Sequence, residues 1–150
     1  MKTASWVLLA LVGVLTLLLS LVSAWRAYGT SGDQIGGRSL SQLSAGRPEV
    51  ETALRARRAT AAAYAVGFAT LFLLVSVGPY RRGEVWAWWA LLVGMLVVSG
   101  LILLRVPLLG IRLTDPSGGA GASLIQLLIA GLGLALGAGR FQRRRPDDSA

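Results

Sequence analysis

The side chains able to exchange protons are few and scattered. Tyr28, Asp33, Glu49, Glu51 and Tyr64 are the acid–base candidates, and acid–base catalysis needs such groups held in mutual reach. Their spacing matches no catalytic motif, so the residues point away from an enzyme. The absence of Cys excludes thiol–disulfide chemistry, thiolate metal sites and disulfides. With no His, a His-ligated haem, a His-containing zinc site and a Ser-His-Asp relay are excluded as well. No cofactor and no metal are therefore expected. Two kinds of polar contact remain. Gln126 is the most polar side chain deep in any long apolar run, and it is expected to clasp a neighbouring helix through Ser99, Thr70 or a backbone carbonyl. Arg55, Arg57, Arg58, Arg81, Arg82 and Arg105 border the apolar runs, where guanidinium groups suit lipid head groups.

The elements that must position these residues follow from the distribution of charge. The chain has 150 residues, 54% of them hydrophobic, and a mean hydropathy of +0.62. Residues 3–25, 59–80, 85–104 and 116–139 contain no Asp, Glu, Lys or Arg, giving runs of 23, 22, 20 and 24 residues. About 20 apolar residues in a helix cross the roughly 30 Å hydrocarbon layer. The expected fold is all-α: an integral membrane four-helix bundle forming a single transmembrane domain, with its second helix extended outside the membrane. The expected spans are 5–25, 59–79, 85–106 and 121–139, with an extramembrane segment at 26–58 and a disordered tail at 143–150. A net charge of +8 and a pI near 11.5 could suggest nucleic acid. The basic residues flank hydrophobic runs instead of forming one soluble basic face, so anionic lipids are the expected partner and nucleic acid is not.

Lys2, the apolar stretch that follows and the small-residue ending Val22-Ser23-Ala24 match the formal pattern of a cleaved signal. The stretch is longer than a usual signal core, and Trp6 and Trp25 lie about 28 Å apart along a helix, one ring for each interface. A retained first span is expected. Gly29, Gly32, Gly36 and Gly37 with intervening Ser, Thr and Asp33 read as irregular loop. From Pro48 to about Gly78 the pattern predicts one helix: Pro at its first position, Glu49 and Glu51 in its first turn, and Glu51 spaced for an i,i+4 pair with Arg55. Gly78-Pro79 is expected to end it, leaving Tyr80-Arg81-Arg82-Gly83-Glu84 as a tight turn. Trp86, Trp88 and Trp89 are expected at the head-group boundary, Pro107 to end the third span, and residues 108–119 to connect to the fourth.

Gly133 and Gly137 form a GxxxG in the fourth span, beside a second ladder of Gly131, Ala135 and Gly139. Ala59, Ala63 and Gly67 in the second span and Ala90 and Gly94 in the third share the spacing. Small residues let helices approach closely in lipid, so Gly133, Gly137, Gly67 and Gly94 are candidate packing positions. Four spans put both termini on one side. That side carries seven basic residues in 17 against eight in 44 on the other, so the termini are expected in the cytoplasm, although Arg55, Arg57 and Arg58 lie on the outer side.

The string Pro79-Tyr80-Arg81-Arg82-Gly83-Glu84-Val85-Trp86-Ala87-Trp88-Trp89 resembles the central hairpin of small four-span bacterial membrane proteins of the broad DoxX-like group. The resemblance covers this hairpin alone. It implies a four-helix membrane bundle in a bacterial inner membrane, and it brings no catalytic motif and no substrate. Together these features suggest a non-enzymatic accessory or scaffold component of the inner membrane, partnered by another membrane protein or a further copy of itself. The alternative is a small carrier or transporter subunit for an apolar or lipid-like compound. A multidrug exchanger would need a Glu in the first span, and residues 3–25 contain none.

Overall fold

The computed structural model describes residues 2–29, 34–35, 38–110 and 120–139. Asp33, Gly32, Gly36, Gly37, most of the expected 108–119 connection, Arg140 and the expected disordered tail at 143–150 lie outside the described residues. Helix α1 is Lys2–Tyr28 and is followed by a two-residue antiparallel pairing of β1 (Gln34–Ile35) with β2 (Arg38–Ser39). Then come the short helix α2 (Leu40–Leu43), the long helix α3 (Pro48–Val75), a π-helical segment Ser76–Tyr80, α4 (Val85–Leu103), α5 (Arg105–Leu109) and α6 (Ala120–Ala138). The all-helical expectation holds but for this small pairing. Four stretches, Ala4–Tyr28, Pro48–Tyr80, Val85–Leu109 and Gly121–Ala138, are long and apolar enough to cross a membrane.

Between α1 and α3 the chain is more regular than its glycines suggest. Ser39 caps α2: its Oγ accepts from the Gln42 backbone N–H, and Gln42 Oε1 accepts from the Ser39 N–H in return, a reciprocal capping box. Leu40 is buried beneath it. The expected irregular loop covered Gly29 to Gly37; beyond it, two orphan amides at the α2 start find side-chain partners three residues apart.

Two proline expectations are corrected. The second helix does not end at Gly78-Pro79. It widens into the π-helical segment Ser76–Tyr80 and remains helical through Arg82. Proline lacks an N–H and its ring crowds the carbonyl four residues back, and a wider i→i+5 turn accommodates both. The helix stops at Gly83, whose φ of 86° is left-handed. The Gly83 N–H donates to the Tyr80 carbonyl at 3.0 Å and the Glu84 N–H to the Pro79 carbonyl at 3.1 Å, the paired closure of a Schellman turn. α4 begins one residue later. Likewise Pro107 does not terminate the third long helix but sits in the first turn of α5, and the break falls one turn earlier at Leu104. A proline is tolerated in a first turn, where its missing N–H has no helical partner in any case. Gly110, with a left-handed φ of 63°, ends that helix.

The chain divides into two compact units, one of residues up to Gly13 together with those from Phe72 onward, the other Val14–Leu71. In the first unit parts of all four long helices meet. A Cβ on Gly13 of α1 would lie 2.7 Å from Leu73 of α3, while Ser5 reaches Tyr80, so the two helices run antiparallel. Gly137 faces Ser5 and Gly133 faces Leu9, so α1 and α6 are antiparallel too. The buried residues recur at helical spacing: Leu9 and Val12 on α1; Ala87, Leu91, Met95 and Ser99 on α4; Ala130 and Leu134 on α6. In the second unit Ser20, Ala27, Leu40, Ser44, Ala62 and Ala69 are buried, and the Arg55 guanidinium bridges Glu51 Oε1 at 2.7 Å and the Gly29 carbonyl at 3.4 Å.

Candidate functional site

Polar side chains converge where the ends of the long helices meet in the first unit. Ser5, in the first turns of α1, is fully buried, and its Oγ donates to the Gly133 carbonyl of α6 at 2.8 Å. With that proton committed, Ser5 Oγ accepts from the hydroxyl of Tyr80, which is also fully buried. The Gly133 carbonyl lies 3.5 Å from the same tyrosine hydroxyl. Phe72, Ser76 and Tyr80 are buried at successive intervals of four residues. In an uninterrupted α-helix such a row drifts around the axis, and the wider π-helical turn keeps Tyr80 in line with it. Ser76 closes on its own helix, donating to the Phe72 carbonyl at 2.7 Å.

Gly137 makes this junction possible. A Cβ there would stand 2.8 Å from Ser5 Oγ and would collide with the Tyr80 hydroxyl. At Gly133 a Cβ would meet Leu9 at 3.2 Å. The GxxxG ridge of α6 therefore packs on α1 and the π-helical segment. The other small positions differ: Gly67 and Gly131 face open space, as does Gly139, while Ala90 is exposed and Gly94 half-buried.

The three tryptophans at the start of α4 also separate. Trp86 and Trp89 are exposed, but the half-buried Trp88 turns inward and donates Nε1–H to the Leu134 carbonyl of α6 at 3.0 Å. Trp88 and Trp89 pack edge to face with centroids 4.8 Å apart. Of the three rings expected at the boundary, Trp88 is the one that also enters the helix interface, where its indole N–H needs an acceptor. Trp86 Nε1–H donates to Glu84 at 2.5 Å, and the Arg81 guanidinium sits 5.0 Å from the centre of the Trp6 ring. Such stacking partly satisfies a cation beside an apolar helix.

The remaining candidates are dispersed. Gln126 is half-buried on α6 and Ser99 buried on α4, whereas Thr70 Oγ1 donates to the Val66 carbonyl of its own helix at 2.8 Å. Arg57, Arg82 and Arg105 are exposed, Arg58 is half-buried, and Arg55 is taken up by Glu51 and Gly29. Tyr28 and Tyr64 are exposed, as is Glu49.

Ser5, Tyr80 and Gly13 escaped sequence reasoning as packing residues, and Trp88 was read only as a boundary ring. Ser5 and Tyr80 stand beside charged residues and Gly-Pro, which read as helix ends, and the only usable signal was the four-residue spacing of Phe72, Ser76 and Tyr80. Chemically the junction is neutral. Among the described residues Ser5 donates to a backbone carbonyl and not to a base of the kind that activates a nucleophile. Among the described residues no three of Asp, Glu, His or Cys cluster as a metal site would require. No family model, curated protein or solved structure matches the chain.

Proposed function

We propose that this chain is a non-enzymatic integral membrane protein, a four-helix bundle crossing a bacterial inner membrane with both termini cytoplasmic, that acts as an accessory or scaffold to another membrane component. The observation that carries the reading is an inversion of polarity. The buried polar side chains among the described residues are all serines, apart from the Tyr80 hydroxyl, while Leu15, Leu18, Leu71, Leu74, Leu101, Ile125 and Leu128 stand exposed. Water would penalise such an exterior, and hydrocarbon would not. Among the described residues the interior holds no buried charge of the kind that ion-coupled carriers keep at mid-depth. What the chain offers instead is a structured polar segment, β1 to the first turns of α3, which suits a partner's docking. The DoxX-like resemblance of residues 79–89 is compatible with this role.

The test has two arms. Alkaline carbonate should leave the protein in the membrane pellet, and release into the supernatant would overturn the membrane reading. In mild detergent, crosslinking through Ser39→Cys should trap a defined membrane protein. If no adduct forms, and purified protein in vesicles instead speeds the flux of a lipid-like dye, the carrier role replaces the scaffold.

A further inference from the structure

The arginines that border the second unit do not share one role. Arg55 is spoken for: Glu51 holds its guanidinium at 2.7 Å, and it donates to the Gly29 carbonyl just past the end of α1. That bond ties two antiparallel helices together and sets their register to within the reach of one arginine side chain. Arg55 on α3 stands level with Gly29, so three residues further along each helix, Arg58 stands level with Arg26, at about 1.5 Å per residue. Arg57 lies level with Ala27 by the same step, one residue from Tyr28. Arg26 and Arg57 are exposed, and so are Trp25 at 82% and Tyr28 at 74%. Two turns deeper on the face of Arg57 lies Tyr64, 77% exposed. Helical Cα–Cβ bonds tilt toward the N-terminus, so the Tyr64 ring leans back toward Arg57.

We infer that Arg26, Arg57 and Arg58 form a docking collar for anionic phospholipid head groups, with Trp25, Tyr28 and Tyr64 seated at the hydrocarbon boundary and Arg55 as the strut that holds the collar in register. The inference rests on the membrane reading above and names a partner for it. The occupant follows from charge complementarity: cations from two helices near one level, beside exposed amphipathic rings, match a phosphodiester layer over hydrocarbon. A soluble acidic partner would have no use for the rings. The sequence groups Arg55 with Arg57 and Arg58; the Gly29 contact adds Arg26 beside them.

The experiment measures retention of phosphatidylglycerol against phosphatidylcholine by the full-length protein in mild detergent, using native mass spectrometry. The wild type should prefer phosphatidylglycerol, and the preference should fall as salt rises. Arg26, Arg57 and Arg58 changed together to Gln should lower it about tenfold or more, since each contributes on the order of 1 kcal/mol beside anionic lipid and 1.4 kcal/mol is tenfold. Arg55→Gln should instead raise hydrogen exchange at residues 26–29 and 48–58. An unchanged preference in the triple variant would overturn the collar, as would an equal loss of both lipids. A salt-insensitive wild-type preference would overturn it even if the triple variant failed to fold. An equal loss with Arg81→Gln and Arg82→Gln would reduce it to general charge. Failure of carbonate retention would instead condemn the membrane reading.

Discussion

Tyr80 and Ser5, 75 positions apart, share a hydrogen bond in the fully buried space where α1, the π-helical segment and α6 meet. Ser5 donates its own hydrogen bond to the Gly133 carbonyl, so the pair pins two helices to a third through one backbone oxygen. Tyr80→Phe removes a hydroxyl and leaves the ring. The expected loss in thermal stability in detergent is about 0.6 to 1.7 kcal/mol, the usual range for interhelical bonds in membranes. Tyr80→Ala should cost more, about 3–5 kcal/mol, because it also opens a cavity. Equal melting of Tyr80→Phe and the wild type would show that the ring alone matters.

Close approach at Gly137 should make the site intolerant of any side chain. Gly137→Ala is expected to lower the melting temperature clearly, and Gly133→Ile to do the same through Leu9. Gly67→Ala and Gly131→Ala meet open space and should be neutral or stabilising by up to about 1 kcal/mol, since Ala favours helix. If all four variants melt together, the GxxxG ridge does not carry the packing.

Trp88 and Trp89 are neighbours with opposite tasks. Trp88→Phe deletes the donor to the Leu134 carbonyl and should destabilise by roughly 1 kcal/mol. Trp89→Phe should change stability little and should alter the lipid-quenchable fraction of tryptophan fluorescence instead. Matching effects of both variants on melting would contradict this division.

Orientation is open to direct labelling, because the chain contains no Cys and any introduced one is unique. Cys at Ser39 should react with an impermeant maleimide on intact cells, and Cys at Arg82 only after lysis. The reverse pattern would invert the topology.

Gln126→Leu removes a polar atom from the apolar run and also breaks whatever interhelical bond it makes. The two effects partly cancel, and a change below about 1.5 kcal/mol is expected. Complete loss of folded protein in this variant, with Gly137→Ala unaffected, would shift attention from the α1–α6 junction to Gln126.

Charge-free length was decisive for the long helices, because hydrocarbon tolerates neither charges nor unpaired backbone amides, and that constraint is written residue by residue. The helix start at Pro48 and the Glu51–Arg55 pair were legible for a similar reason: both depend on neighbours within one turn. The GxxxG of α6 was visible as a spacing, yet the same spacing occurs at Gly67, and only tertiary packing decided which glycines meet another helix. Gly78-Pro79 and Pro107 misled because a proline's local penalty can be absorbed by a wider turn or by a first-turn position, and long-range contacts choose between breaking and absorbing. Tyr80 and Ser5 are interior and Trp88 half-buried, their hydroxyls and N–H reaching partners between 46 and 128 positions away. Hydrogen bonds across helices leave no periodic trace in the chain, so these roles belong to the tertiary structure alone.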